Sequence, residues 1–136
     1  MQFDHLTIRT RDLGATKAFF EQVLDLSEGE RPAIIRRIPG YWLFDGNRRP
    51  VVHLIGSAGG DAGHPAEAID HVGIRPDGSY SAFRARLERL GIPYSLMDVV
   101  ELQERRVFFH TPGGPLMEAV FDEPVPIQHN TRDKAS

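Results

Sequence analysis

The sequence predicts an α+β fold in which one unit, a strand, a helix and three strands, is used twice. Three observations carry this expectation. Asp4-His5-Leu6-Thr7-Ile8-Arg9 returns as Asp70-His71-Val72-Gly73-Ile74-Arg75, with four of six residues matching at an offset of 66 (70 − 4). Each copy is followed by apolar residues at helical spacing, Phe19, Val23 and Leu26 after the first and Phe83, Leu87 and Leu90 after the second. Each helical stretch then gives way to short β-branched and aromatic segments separated by turn formers. Self-similarity at a fixed period marks a fold assembled from repeated pieces.

The elements follow in order. The first strand covers the first hexapeptide, and Asp12 or Thr16 can cap the helix behind it. Strands are expected near 33–38, 41–45 and 50–55, with Asp45-Gly46-Asn47 as a hairpin turn. In the second half, Asp77-Gly78-Ser79 signals the start of a helix and Gly91 its end. Strands are expected near 93–98, 105–110 and 115–121, the last two joined by Thr111-Pro112-Gly113-Gly114. This gives one domain over 1–123, with modules at 1–56 and 67–123, a glycine-rich linker at 57–66 and a polar tail at 124–136.

Bulk properties narrow the function. The chain has 136 residues, 40% hydrophobic and 26% charged, which is ordinary for a globular domain. With a net charge of −3 and no basic run interleaved with aromatics, no nucleic-acid partner is expected. The absence of cysteine excludes disulfides, thiolate zinc sites and a thiol nucleophile. No apolar stretch reaches the ~20 residues of a membrane-spanning helix. Met1-Gln2-Phe3-Asp4-His5 has neither the basic segment nor the apolar core of a signal peptide, so a cytoplasmic location is expected.

Strand alternation places His5, Thr7 and Arg9 on one face of the first strand, opposite Leu6 and Ile8. His71, Gly73 and Arg75 share the corresponding face of its copy. The aliphatic faces suit a helix. The faces bearing imidazole and guanidinium suit a cleft. The last strand of each half adds a further ligand-type residue: His53, 48 residues after His5 (53 − 5), and Glu118, 47 after His71 (118 − 71). Imidazole and carboxylate together suit Fe, Mn, Ni, Co or Zn as a divalent ion, and such a set leaves coordination positions open. His5, His71 and Glu118 already make a complete two-histidine, one-carboxylate set, with His53 as an additional ligand. The other histidines read differently: His64 in the linker and His129 in the tail as solvated, His110 as a turn residue or a substrate contact. Arg9 and Arg75 can hold an anionic substrate group or form salt bridges at the rim. Trp42, Phe108 and Phe109 can wall the cleft or belong to the core. Glu101 and Glu104 read as a mobile flap or a solvated loop. Ligand histidines with an ordinary pKa would lose metal below pH ~6.5.

These residues resemble the vicinal oxygen chelate superfamily: glyoxalase I, extradiol dioxygenases, methylmalonyl-CoA epimerase, and the bleomycin and fosfomycin resistance proteins. The resemblance spans residues 1 to about 123. It rests on Asp4-His5, on Gly40-Tyr41-Trp42-Leu43-Phe44 leading to His53, on Asp70-His71, and on Phe108-Phe109-His110-Thr111-Pro112-Gly113-Gly114 leading to Glu118. It implies two βαβββ modules forming a half-open, eight-stranded barrel around one divalent metal. It also implies a homodimer, in some members with modules exchanged between chains. By this resemblance His5, His71 and Glu118 are ligands, and His53 takes the optional fourth position. The implied activity is that of a metal-dependent lyase or isomerase of glyoxalase type. The metal would chelate vicinal oxygens of a small oxygenated metabolite and stabilise an enediolate, with Glu118 or His53 moving the proton. The alternatives are an Fe(II) extradiol-type dioxygenase and a non-enzymatic drug- or metabolite-binding protein. The chain departs from the pattern: the second-sphere histidine of the dioxygenases and the potassium loop and phosphonate-binding residues of the fosfomycin transferases are not evident, and two positions differ. His53 stands where glyoxalase I and the epimerase usually carry Glu or Gln, and Phe108 stands where extradiol dioxygenases commonly carry a tyrosine.

Overall fold

A computed structural model of the chain describes residues 1–57, 68–112 and 114–127. The residues expected to form most of the linker and the end of the tail, with His64 and His129, lie outside the described residues. The first module runs β1 (Gln2–Thr10), α1 (Leu13–Leu24), β2 (Ser27–Gly29), α2 (Ala33–Arg36), β3 (Gly40–Phe44) and β4 (Pro50–Gly56). The second runs β5 (Ala68–Arg75), α3 (Tyr80–Arg89), β6 (Ser95–Val99), a 3₁₀ turn (Val100–Leu102), β7 (Glu104–His110) and β8 (Leu116–Phe121).

All eight strands form one open, mixed sheet in the order β2-β3-β4-β1-β5-β8-β7-β6. The order reads identically from either edge once the modules are exchanged. In each module the first strand pairs in parallel with the last, β1 with β4 and β5 with β8. The modules meet where β1 runs antiparallel to β5. The two copies of the repeated hexapeptide are therefore neighbours at the centre of the sheet. Thr7 lies opposite His71, and His5 opposite Gly73.

The core sits on the helix-bearing face. Leu43, Val52 and Leu54 pack with Ile8, Leu13 and Phe20, and Ile74, Leu87, Val107, Ala119 and Phe121 pack with Val72 and Phe83. Alternation turns the residues between them, His5, Thr7, His53 and Glu118, to the opposite face, where they too are buried. Both caps form as expected: Asp12 accepts from the Ala15 N–H at 2.9 Å and Ser79 from the Ala82 N–H at 3.1 Å. Gly91, at φ +69°, follows α3 in a left-handed conformation that glycine adopts without strain. No helix among the described residues is long and apolar enough to cross a membrane.

Three local expectations are corrected. The strand expected at 33–38 is the short helix α2, and the first of the three strands after α1 is instead β2. Pro32 starts the helical turn, its carbonyl accepting from the Ile35 and Arg36 N–H groups, and Glu101 binds the Ala33 N–H at 2.7 Å. The core-facing stripe of α1 is Leu13 and Phe20, both half-buried. Phe19 and Val23, expected to face inward, are 55% and 59% exposed. Apolar side chains at both 19 and 20 fit two stripes, and the position of the sheet selects one. Glu104 does not belong to a solvated loop: it opens β7 and is buried against two arginines.

Candidate metal centre

Three side chains from three strands converge at the middle of the sheet. One ligand atom each from His5, His71 and Glu118 lie within 4.8 Å of one another. His5 Nε2 is 2.8 Å from Glu118 Oε1, and His71 Nε2 is 3.1 Å from the same oxygen. On their far sides the two imidazoles are held alike, His5 Nδ1 by Asp4 Oδ2 at 2.7 Å and His71 Nδ1 by Asp70 Oδ2 at 2.8 Å.

The two aspartates reach these positions through a pair of β-bulges. The β1–β5 register steps from Phe3–Ile74 to His5–Gly73, leaving Asp4 as the extra residue. It steps again from Thr7–His71 to Ile8–Ile69, leaving Asp70 as the extra residue. A bulged residue escapes strict alternation, so each aspartate can turn toward the histidine that follows it. The arginines of the repeat lock the aspartates crosswise. Arg9 bonds Asp70 at 2.7 Å, and Arg75 bonds Asp4 at 2.6 Å.

Glu118 is 2% exposed, and its second oxygen accepts from Arg106 Nη1 at 3.0 Å. Arg106, 3% exposed, also donates to Glu104 Oε1 at 2.5 Å, and Glu104 Oε2 accepts from Arg75 at 3.0 Å. His5, Asp4, Arg75, Glu104, Arg106 and Glu118 thus close a ring of polar contacts behind the ligand atoms. Each buried charge in that ring has a partner, as burial requires.

The electrostatics follow from these contacts. Burial alone would push the His71 imidazole down. Its hydrogen bonds to Asp70 and Glu118, with their charges, win and raise it to about 9. Burial likewise opposes ionisation of His5, and Asp4 and Glu118 raise it on balance. Burial would raise Glu118, but the two histidines and Arg106 hold it well below the usual carboxylate range. The Asp70 carboxyl is drawn to about 2 by its bond to His71 and, against burial, by Arg9.

The donor set fits a divalent cation. An ionised aspartate can only accept, so each Nδ1 carries the proton and a neutral ring presents its Nε2 lone pair inward. His5 Nε2 is buried and lacks an aligned hydrogen-bond partner despite its closeness to Glu118. Inward lone pairs facing a carboxylate repel unless a proton or a metal ion lies between them. Both imidazoles are shifted in the direction that favours a proton there. The carboxylate–histidine supports are the kind that orient metal-bound imidazoles and raise their basicity.

His53 stands beside this cluster, outside the trio of close ligand atoms. Its Nε2 lies 3.1 Å from the Pro50 carbonyl oxygen, and its ring is stacked between Trp42 (centroids 4.1 Å) and His5 (3.9 Å). Burial, then the His5 charge, push its pKa well below the ordinary value, so it is neutral. A cavity of about 340 Å³ opens over the cluster. Trp42, His53, His71, Phe108, Arg9 and Glu118 all line it. Arg75 and His110 do not: Arg75 serves the ring behind the ligands, and His110 is exposed at the end of β7. Sequence reasoning missed Arg106 and the buried role of Glu104. It also left Asp4 and Asp70 without a role, although the repeated Asp-His pair was the available signal.

Gly73 makes room for the His5 ring. A Cβ there would lie 2.2 Å from His5 Nδ1. Gly73→Ala is therefore expected to displace the His5 ring, cost about 1–3 kcal/mol as other overpacked sites do, and weaken metal binding at least ~10-fold, the lower end for displaced ligand supports. Gly46→Ala, with nothing within 4 Å, is the control. Calorimetric Mn(II) titration and thermal melts check both. Unchanged Mn(II) affinity in Gly73→Ala would show that the His5 ring position is not required.

No family model and no curated protein sequence matches the chain. Solved structures do. Methylmalonyl-CoA epimerase from Mycobacterium tuberculosis superposes with a TM-score of 0.68 at 18% identity, covering 99% of this chain and 92% of its own. The Mn(II)-bound glyoxalase from Novosphingobium aromaticivorans gives 0.67 at 19% identity, over 93% of this chain and 42% of its own. The 2,3-dioxygenase LapB from Pseudomonas sp. KL28 gives 0.65 at 20% identity, over 87% and 39%. All three are vicinal oxygen chelate proteins. At these identities the likeness establishes the fold: this chain has the vicinal oxygen chelate fold, two βαβββ modules in one open sheet.

Proposed function

We propose that the protein is a divalent-metal-dependent enzyme of glyoxalase-like chemistry, acting on a small oxygenated metabolite. The observation that supports it is the convergence of two imidazole nitrogens and one carboxylate oxygen within 4.8 Å, beside a cavity large enough for such a molecule. His5, His71 and Glu118 would hold the ion. When bound, the ion would polarise adjacent substrate oxygens and stabilise the anion left by proton removal.

The protein groups divide the remaining work. Glu118 is a poor base, because both of its oxygens are engaged. His53 is better suited to take the proton. The Pro50 carbonyl can only accept, so Nε2 carries the hydrogen and Nδ1 keeps the lone pair. Trp42 and Phe108 supply apolar wall and exclude water from the reacting centre. Phe108, opposite Glu118 in the β7–β8 pairing, offers no hydroxyl for a bound dioxygen or catechol, which ranks a dioxygenase behind proton transfer. A homodimeric, cytoplasmic setting completes the reading.

The test is metal analysis of the purified protein, followed by chelation and restoration with Ni(II), Co(II), Mn(II) or Fe(II). Assays would use hemithioacetals and substrates with an acidic proton beside a carbonyl. His53→Gln is expected to lower turnover about 100-fold or more while keeping the metal, as loss of a general base does. Metal-loaded protein inactive on the whole panel, with oxygen uptake under Fe(II), would replace this reading with the dioxygenase.

The raised His71 sets the pH dependence of metal binding. A proton held up to about pH 9 must leave before the imidazole can ligate. Apparent affinity is therefore expected to climb with pH, about tenfold per unit for each proton displaced, and to level near pH 9. The window sits well above the ~6.5 of an ordinary histidine. Protonated His71 also stabilises the metal-free fold fully below ~6.5, a contribution lost as pH rises through about 9. Mn(II) calorimetry from pH 6 to 9 checks the slope, and a flat profile between 7 and 8.5 would contradict it.

A further inference from the structure

The charges lining the cavity do not balance. Three guanidinium groups (Arg9, Arg31, Arg106) face two carboxylates (Asp70, Glu118), so these fixed charges alone leave the lining positive by one, and either the His71 proton or a divalent ion adds to that. Arg9 is matched by Asp70, and Arg106 by Glu118 and Glu104. Among the described residues Arg31 has no carboxylate partner. Its Nη1 donates to the Ile38 carbonyl at 2.8 Å. That bond ties the guanidinium to the segment whose Ile35 and Ile38 wall the cavity.

Arg31 also borders an outer hollow with Glu30, Arg36 and Glu101, so it stands at the cavity mouth. Two of the nearby acids are engaged elsewhere. Glu101 accepts from the Ala33 N–H, and Glu28 pairs with Lys17 at 3.3 Å. Burial, then the Arg36 charge, shift the Arg31 guanidinium below its ordinary value, against the opposing pull of Glu28 and Tyr41. A guanidinium fixed through one nitrogen keeps further N–H donors for a planar anion.

We propose that Arg31 is the specificity-determining residue of this cavity, binding a terminal carboxylate of a substrate whose oxygenated end meets His5, His71 and Glu118. The substrate class is then a small organic acid with an apolar middle, which Ile35, Ile38, Met97 and Leu116 would enclose. The proposal rests on the reading of this cavity as the substrate site.

The test uses Mn(II)-loaded protein and matched probes. The pairs are 2-oxoglutarate with 2-oxopentanoate and 2-oxoadipate with 2-oxohexanoate, each pair differing in a terminal carboxylate against a methyl group. Trp42, the single tryptophan of the chain, lines the cavity, so its fluorescence reports binding, with calorimetry as a second readout. In at least one pair the dianion is expected to bind about tenfold or more tightly, the range of a charge-assisted hydrogen bond. Arg31→Gln is expected to reduce that ratio below about twofold with Mn(II) affinity retained, and Arg31→Lys to keep part of it. Equal binding of both members of each pair to the wild-type protein would overturn the proposal, as would a ratio that survives Arg31→Gln. Failure of the metal reading shows separately, as absent Mn(II) binding. The same criteria then apply to the probes and the metal-free protein.

Discussion

Replacing Glu118 with glutamine is expected to abolish tight metal binding while leaving a folded protein. The substitution keeps the shape and removes the only anionic ligand of the trio. It also removes the charge that helps raise both imidazoles. The loss should exceed the ~10–100-fold cost of altering a ligand's supporting partner. Asp4→Asn and Asp70→Asn provide that comparison, since each touches only the far nitrogen of a histidine. Calorimetric titration with Mn(II) or Ni(II) ranks the three variants. A Glu118→Gln protein that binds as tightly as the aspartate variants would remove Glu118 from the coordination sphere.

The largest stability effect is expected at Arg106. Arg106→Met deletes the cation that sits between Glu104 and Glu118, both buried. Removing one partner from a buried ion pair costs about 3–5 kcal/mol, because the remaining charge stays desolvated. Glu104 keeps Arg75 and Glu118 keeps two imidazoles, so the lower end applies. For a chain of this size the melting temperature should fall by roughly 10 °C. Added Mn(II) should recover part of the loss, since a cation at the ligand atoms offsets the exposed acid. A metal-free Arg106→Met protein that melts within about 2 °C of wild type would mean the ring of charges does not hold the site together.

The candidate ligands were legible because they recur. His5 and His71 are the same residue of the same motif, and Glu118 and His53 occupy matching strands. Their supports were hidden for a local reason. Alternation assigns Asp4 and Asp70 to the face opposite their histidines, and only the two bulges reverse that assignment. Bulges depend on how two strands register against each other, which no single strand encodes. Arg106 was hidden for a different reason. Its segment reads only as one more strand at 105–110, and nothing in it points to Glu118, twelve residues on.

The helix α2 shows the same division. Ala33-Ile34-Ile35-Arg36 has the composition of a strand, yet Glu101, 68 residues later, takes its first N–H and stabilises a helical turn. Local pattern therefore determined the doubled architecture, the faces of the central strands and the chemical type of the candidate ligands, because these depend on periodicity and residue identity alone. The tertiary structure decided which carboxylate supports which imidazole, that His53 stacks beside the cluster, and which arginine faces the cavity without a counter-charge. Those outcomes depend on strand register and on contacts between residues far apart in the chain, and a linear pattern carries neither.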